Sequence, residues 1–223
     1  MNKSILSVII KSLLVAIGTS GIIATYFTAG YMSRGTTFLY FTIQSNITII
    51  AITTFYLFDA IGVLFGRKPI NNQILLHVKF CFTVAITITF IVFVTLLAPL
   101  VGVSYFFSYS NFSLHIIVPL LAIADFILFD INLKIRKFSF LAGTIMPIYY
   151  FFFFLVGRLF NFTYLDGEIA PYFFLNYEKY GWFTVSKDGL GVFYWVIILL
   201  AFAAGLGFLF LLFMKLRQKK QLQ

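Results

Sequence analysis

Charged residues are scarce in this sequence. Only 10% of its 223 residues are Asp, Glu, Lys or Arg, whereas 61% are hydrophobic and the mean hydropathy is +1.01. A soluble domain of ordinary composition carries about 25% charged residues. The chain therefore has more apolar surface than a water-facing fold can bury. This scarcity excludes an ordinary soluble domain and predicts an integral membrane protein whose partners include membrane lipids.

Cysteine and histidine are also rare. The single cysteine, Cys81, excludes an internal disulfide and a cysteine-based metal site. The two histidines, His77 and His115, stand near the starts of consecutive apolar segments, and consecutive membrane spans run in opposite directions. Their imidazoles are therefore expected on opposite sides of the membrane, where they cannot share a metal ion. Glycine-rich phosphate loops and the GxSxG and HExxH patterns are absent too, so we expect no metal and no other cofactor.

The net charge of +9 does not indicate a nucleic-acid partner. The basic residues stand between the apolar segments and at the C-terminal end, not on one continuous stretch. Basic residues in such positions are typical of topology signals in membrane proteins. We therefore expect lipids, and no nucleic acid, around this chain.

Six segments are long and apolar enough to cross a bilayer, which takes about 20 mostly apolar residues. They lie near residues 5–27, 38–62, 74–98, 114–131, 139–158 and 190–214. The first follows a short basic start without a small-residue cleavage site, which favours a membrane helix over a signal peptide. The sequence thus predicts an all-α polytopic fold, a single domain of six transmembrane helices over residues 1–223.

The distribution of Lys and Arg predicts the orientation. With a cytoplasmic N-terminus, ten basic residues face the cytoplasm and four face outward, and two lie within spans. The inner ten are Lys3, Arg67, Lys68, Lys134, Arg136, Lys137, Lys215, Arg217, Lys219 and Lys220. The outer four are Arg34, Arg158, Lys179 and Lys187. An inner excess of this size predicts that both termini are cytoplasmic.

The connection at residues 159–189 is the only long one, and it is rich in Tyr, Phe and Trp. Such residues prefer the membrane interface, which favours a role as an interfacial anchor. Long ordered loops are also often functional, so a lid over an outward-facing site is the alternative.

The fourth apolar segment carries several polar and ionisable residues within a predicted membrane span. Within SLHIIVPLLAIADFILFD stand His115, Pro119, Asp125 and Asp130. Ionisable residues within a span are costly and usually face a bundle interior or a polar cavity. Pro119 has no N–H to donate to the carbonyl of His115, so the turn around His115 is expected to need another polar partner.

The second segment brings a hydroxyl to the same depth as this histidine. Thr42 lies about one turn below the outer surface, and His115 begins the next span that enters from outside. Imidazole beside a hydroxyl permits nucleophilic acyl transfer. Thr42, Ser45 and Asn46 share one helix face. The alternatives are a packing hydroxyl for Thr42 and an interfacial hydrogen-bonding residue for His115.

Three stretches carry a resemblance to a known family. FLYFTIQSN in the second span, LHIIVPLLAIADFILFD in the fourth and YLDGEIAPYFFLNYEKYGW in the last connection resemble the androgen-induced protein family of membrane hydrolases, in its bacterial six-span branch. The resemblance implies an intramembrane threonine hydrolase of fatty-acid esters of hydroxy fatty acids or similar lipid esters. It implies Thr42 as the nucleophile, His115 as the base and a bacterial plasma membrane as the location.

Four further residues are candidate supports for this chemistry. Ser45 or Asn46 is expected to donate to a developing oxyanion, Asp125 to orient polar groups beneath it, and Arg158 to hold a fatty-acid carboxylate. For Arg158 the alternative is a side chain that reaches the interface.

Further charged residues in or near the predicted spans suggest other roles for the chain. Lys11, Asp59, Lys79 and Asp130 are expected to pair structurally, with a proton path as the minority interpretation. A small transporter or a lipid-binding protein without catalysis is the alternative function, supported by the intramembrane charges Lys11, Asp59, Lys79 and Asp125. A structural subunit of another membrane protein is the third. The sequence leaves the oligomeric state open.

Overall fold

The computed structural model contains six long helices, in agreement with the predicted all-α polytopic fold. It describes residues 3–29, 35–100, 102–130, 132–187 and 189–221, so Arg34 of the predicted outer side lies outside the described residues. The helices are α1 Lys3–Thr28, α2 Phe41–Leu64, α3 Gln73–Leu100, α4 Tyr109–Phe129, α5 Ser139–Leu159 and α6 Val192–Gln221. All six are long and apolar enough to span a membrane. A helix satisfies its backbone polar groups internally, as a segment in lipid requires.

The largest boundary difference is at α4, which begins at Tyr109 rather than near residue 114. A short helix, Val103–Phe106, precedes it in the connection between the third and fourth spans. The Phe112 N–H donates to the Ser108 carbonyl at 2.9 Å, so this aromatic segment satisfies its own backbone. The added turn before His115 supplies one of the partners of its imidazole, described below.

α3 is the central helix of the bundle. Of its most apolar stretch 56% is buried inside the protein, against 17% for α6. The hydroxyls of Thr83 and Thr87 donate to carbonyls one turn earlier, those of Lys79 and Thr83, at 2.8 and 2.7 Å. These bonds let polar side chains occupy a dry interior without an unsatisfied donor.

Small residues let α1 approach its neighbours closely. A Cβ placed on Gly18 would lie 2.6 Å from Ile50 of α2, and one on Gly21 would lie 2.9 Å from Leu114 of α4. Small residues at such crossings are typical of membrane helix packing. They hold the first turns of α4 against the bundle, where His115 lies.

The connection after α5, called the outer connection below, folds back over the helix ends that are predicted to face outward, called the outer ends. It contains the 3-10 turns Leu165–Gly167 and Phe173–Leu175, the helix Tyr177–Tyr180 and a two-residue hairpin of β1 Val185–Ser186 with β2 Gly189–Leu190. The Leu165 N–H donates to the Tyr40 hydroxyl at the start of α2 (3.1 Å). The ring of Phe173 packs edge-on against Trp195 of α6.

Four buried charges form a network in the bundle interior. Asp125 accepts from Lys11 at 2.6 Å and pairs with Lys79 at 2.7 Å, and Lys79 also pairs with Asp130 at 2.6 Å. Three of the four residues expected to pair are in this network, but Asp125 takes the place of Asp59. Asp59 pairs with Arg67 instead, at 2.9 Å. Two lysines and two aspartates make the network neutral, as buried charges require.

Loss of Lys79 is expected to destabilise the bundle strongly. The Lys79→Met variant leaves Asp130 without its cation and Asp125 with one lysine, and breaking a buried pair costs about 3–5 kcal/mol. Thermal unfolding of the detergent-solubilised protein measures the loss. Arg67→Met is the matched control, because the Arg67 side chain is 53% exposed and its partner Asp59 still accepts from the Ile70 N–H, so a smaller loss is expected. Equal unfolding temperatures for the two variants would contradict a stabilising role for the network.

Candidate functional site

Thr42 and His115 are hydrogen-bonded to each other. The Thr42 Oγ1 lies 3.2 Å from the His115 Nε2, although 73 residues separate them along the chain. Thr42 stands in the first turn of α2, and His115 stands in the second turn of α4. The sequence predicted only that these two residues lie at one depth. The structure shows in addition that their side chains are in contact.

The other imidazole nitrogen determines which atom carries the proton. The His115 Nδ1 lies 3.0 Å from the carbonyl oxygen of Asn111, which can only accept. Nδ1 must therefore carry a hydrogen, and in the neutral ring Nε2 is left as the acceptor. The Thr42 hydroxyl then donates to Nε2, which is the arrangement of a nucleophile and its general base.

His115 lies in a π-helical turn, Ser113–Ile117. The Val118 N–H donates to the Ser113 carbonyl, five residues back, rather than to Leu114. Pro119 follows at once and has no N–H to continue the α-helical pattern. Wide turns of this kind within helices occur frequently at functional sites.

Asn46 connects this turn to the helix that carries Thr42. Its side-chain amide donates to the carbonyl of Thr42 at 2.8 Å and to the carbonyl of Leu114 at 3.1 Å. The Leu114 carbonyl is the one that the π-helical turn releases from Val118. A polar partner was expected for the carbonyl of His115. Asn46 is such a partner, but it donates to the carbonyl of Leu114, one residue earlier.

The imidazole is also held by an aromatic ring. Phe93 stacks on His115 with ring centroids 3.8 Å apart and an angle of 20° between the planes. Phe93 begins a second π-helical turn, Phe93–Leu97, near the outer end of α3. Stacking on a face of the ring and the Asn111 bond at Nδ1 together restrict rotation of the imidazole, so Nε2 stays directed at Thr42.

Ser45 and Asn46 have partners within the protein. The Ser45 hydroxyl lies 2.8 Å from the Thr89 hydroxyl and 3.1 Å from the Thr42 carbonyl, and both Asn46 N–H bonds described above go to carbonyls. These contacts hold α2 against α3 and α4. An oxyanion donor role for either residue would require these bonds to open.

Asp125 and Arg158 are engaged elsewhere. Asp125 belongs to the ion network with Lys11 and Lys79. Arg158 donates to the Phe162 carbonyl at 2.9 Å and to the Tyr177 hydroxyl at 3.4 Å, both in the connection after α5. The structure brings Thr42, His115, Ser45 and Asn46 together. The contacts of Asp125 and Arg158 described above are with residues outside this group.

A cavity of about 310 Å³ opens beside Thr42. Its walls come from α2, α3, α5, α6 and the outer connection, and Thr42, Thr89, Tyr150 and Tyr172 are the residues with hydroxyl groups among them. Apolar side chains such as Ile88, Phe151 and Leu199 form the rest. Pockets that bind small molecules range over about 300–1,000 Å³ and have mostly apolar walls, and this cavity lies at the lower end of that range.

Tyr172 reaches the cavity from the outer connection. Its hydroxyl interacts with the Thr42 side chain and with the backbone of Thr42 and Phe41. Burial raises the pKa of Tyr172 to about 12, because a buried phenolate loses its solvation by water. The phenol therefore keeps its proton at neutral pH.

Three contributors to the site were not found from sequence. Asn111 stands one turn before His115, so its carbonyl could have been proposed once the helix was extended to Tyr109. Phe93 and Tyr172 come from other elements, and no local pattern marks them. Among the described residues there is no group of three or more His, Cys, Asp and Glu that could hold a metal ion.

Loss of the Asn46 bridge is expected to loosen the contact between α2 and α4. Asn46→Leu has a similar volume but leaves the buried Leu114 carbonyl without its donor, at a cost of about 1–3 kcal/mol. Unfolding temperature in detergent is the measurement. Thr48→Val serves as the control, because the Thr48 hydroxyl bonds only within its own helix, to the Ser45 carbonyl. A loss no greater than that of the control would show that Asn46 does not join the helices.

Comparison with known proteins adds no identification to this geometry: no family model, no curated protein and no solved structure matches the chain.

Proposed function

We propose that this protein is an intramembrane hydrolase of long-chain lipid esters, with Thr42 as the nucleophile and His115 as the general base. The hydrogen bond between Thr42 Oγ1 and His115 Nε2 is the observation that carries the proposal. The resemblance to the androgen-induced family supports it independently, because the same two residues correspond to that family's threonine and histidine. The site would open toward the outer leaflet of a bacterial plasma membrane.

The first half of the reaction transfers the acyl group to Thr42. His115 Nε2 takes the hydroxyl proton while Thr42 Oγ1 bonds to the ester carbon, and the carbonyl electron pair moves onto its oxygen. The intermediate then collapses, the bond to the alcohol oxygen breaks, and the alcohol leaves with the proton from Nε2. The β-methyl group of threonine hinders this attack sterically. An imidazole held in one orientation helps, because Nε2 is already directed at the Thr42 hydroxyl.

The second half repeats these steps with water. His115 Nε2 takes a proton from a water molecule while the water oxygen attacks the acyl carbon. The bond between that carbon and Thr42 Oγ1 then breaks, and the proton passes from Nε2 to Thr42. A free fatty acid and an unmodified threonine result. The Nδ1–H bond to Asn111 persists throughout and stabilises the imidazolium that forms in each half.

The cavity favours substrates with a long acyl chain. It begins at Thr42 and extends between α5 and α6, where Ile148 and Phe152 contribute to its wall. The side chains of these two residues are exposed at the lipid-facing surface. A chain could therefore enter sideways from the bilayer, which is the expected route for a lipid.

A transporter remains the alternative function, and no observation favours it specifically. Its supporting charges were Lys11, Asp59, Lys79 and Asp125, and each now has an ion-pair partner. Those pairs account for the charges as stabilising contacts. Substrate flux into liposomes that depends on these residues and not on Thr42 would decide for transport.

Labelling with a fluorophosphonate probe tests the Thr42–His115 pair. Thr42→Ala is expected to abolish labelling and ester turnover, and His115→Ala to reduce both by about 10²–10⁴-fold, the usual contribution of a general base. Thr42→Ser retains the hydroxyl and should stay reactive. Gel fluorescence and release of free fatty acid are the two measurements.

The chain offers a matched control for each substitution. His77 is the other histidine, and its Nδ1 lies 2.7 Å from the carbonyl one turn earlier, as that of His115 does. Thr48 lies on the same helix as Thr42. If His77→Ala and Thr48→Ala lose as much activity as the site variants, or if the site variants lose none, the proposed mechanism is wrong.

Filling the cavity is expected to shorten the accepted acyl chain. Leu199→Trp places an indole in the wall of the cavity, so kcat/KM for long-chain esters should fall while that for short-chain esters is retained. The ratio of the two values for each variant is the measurement. Leu209→Trp, on the exposed lipid-facing side of the same helix, is the control, and an unchanged ratio in Leu199→Trp would exclude the cavity as the acyl site.

A further inference from the structure

Tyr172 separates two different environments. On one side its ring lines the apolar cavity that contains Thr42. On the other it lines a polar pocket of about 410 Å³ at the outer end, with Glu168, Asn176 and Lys179 among the other residues of its wall. The phenol therefore stands at the boundary between the acyl cavity and a polar vestibule.

An ester of a fatty acid has the same division. Its acyl chain is apolar, whereas the ester group is polar and has to meet both Thr42 and water. With the chain in the cavity beside Thr42, the ester carbonyl lies at this boundary, and the alcohol portion points toward the vestibule. The hydroxyl of Tyr172 is then the side-chain donor next to the reacting carbonyl.

The ring of Tyr172 is held on several sides. Phe174 stacks on it with centroids 5.1 Å apart, and Tyr40 and Tyr150 lie at 6.1 and 6.3 Å. The Tyr150 hydroxyl itself donates to the Leu39 carbonyl at 2.9 Å, so its own proton is engaged. Tyr172 and Thr42 line the same cavity, and the Tyr172 hydroxyl is close enough to Thr42 to interact with it.

The number of protons indicates how this hydroxyl is used. The Thr42 proton is directed to His115 Nε2, so the Tyr172 hydroxyl keeps its own proton for donation into the cavity. When Thr42 Oγ1 bonds to the ester carbon, it ceases to be a good acceptor. The carbonyl oxygen, bonded to that same carbon, becomes negative and is the nearest stronger acceptor.

We propose that Tyr172 is a third catalytic residue, whose hydroxyl donates a hydrogen bond to the carbonyl oxygen of the ester as that oxygen becomes an oxyanion. The assignment rests on the proposed function and deepens it. Tyr172 keeps its proton throughout, and no bond of the phenol is made or broken. The role expected for Ser45 or Asn46 thus passes to a residue of the outer connection, which makes that connection part of the active site.

Tyr172→Phe tests the assignment, because it removes one oxygen and keeps the ring. Loss of one oxyanion donor is expected to lower kcat by about 10²–10³-fold, with little change in KM and in unfolding temperature. Thr42-dependent labelling by the fluorophosphonate should persist at a reduced rate. Tyr177→Phe is the control in the same connection, since its hydroxyl accepts from Arg158 and should leave kcat unchanged.

Several results would overturn the assignment. Wild-type kcat in Tyr172→Phe would do so, and so would a loss confined to KM and unfolding temperature, which indicates a packing role. Both leave Thr42-dependent labelling and turnover of the wild type intact, and hence leave the proposed function standing. Absence of that labelling and turnover in the wild type would remove the proposed function and this assignment together.

A second variant covers the case in which phenylalanine disturbs folding. Incorporation of 3-fluorotyrosine at position 172 keeps the shape of the ring and makes the hydroxyl a stronger donor. An increase in kcat at constant KM is the expected result. An unchanged kcat would overturn the assignment.

Discussion

Every polar group inside this bundle needs a partner in the protein, because the hydrocarbon around it supplies none. The ion network shows the constraint in its strongest form. Asp125 stands between two lysines on different helices, and Lys79 in turn bridges two carboxylates on α4 and at its end. These contacts join α1, α3 and α4 at a defined depth. Nearer the outer end, α4 also carries His115 and α3 carries Phe93, which stacks on its imidazole.

The constraint also shapes the site. Pro119 cannot continue the α-helical bonding pattern, and the preceding turn widens so that Val118 bonds to Ser113. The released carbonyl of Leu114 receives the amide of Asn46, which also holds the carbonyl of Thr42. One missing backbone N–H is thereby linked to the alignment of two helices. The catalytic geometry that we propose depends on this chain of satisfied bonds.

An apolar cavity and a polar pocket meet at Tyr172, a division that matches the amphiphilic ester we propose as the substrate. Electrostatic interactions are stronger in surroundings of low dielectric constant, so a single well-placed hydroxyl can matter there. The outer connection was open to two interpretations, an interfacial anchor or a lid. Its aromatic residues do pack over the helix ends, and Tyr172 and Phe174 also form walls of the cavity. The connection thus contributes walls to the candidate site in addition to packing over the helix ends.

Much of the fold was predictable from the sequence, because apolar length and the positions of Lys and Arg are local properties. The six spans follow from them, and so does the shared depth of Thr42 and His115. Partner choice was not predictable in the same way: Asp59 pairs with Arg67 eight residues away, while Asp125 takes the lysines. Depth restricts which charges can meet, but rotation of each helix about its axis decides which do.

The sequence by itself determined the class of protein, the number of helices and a short set of residues able to support acyl transfer. Only the tertiary structure decided that Thr42 and His115 are in contact, that Asn46 joins their helices, and that Phe93 and Tyr172 complete their surroundings. The physical reason is separation along the chain. Contacts between α2, α3, α4 and the outer connection arise from helix packing, and packing is a property of the assembled bundle rather than of any one stretch of residues.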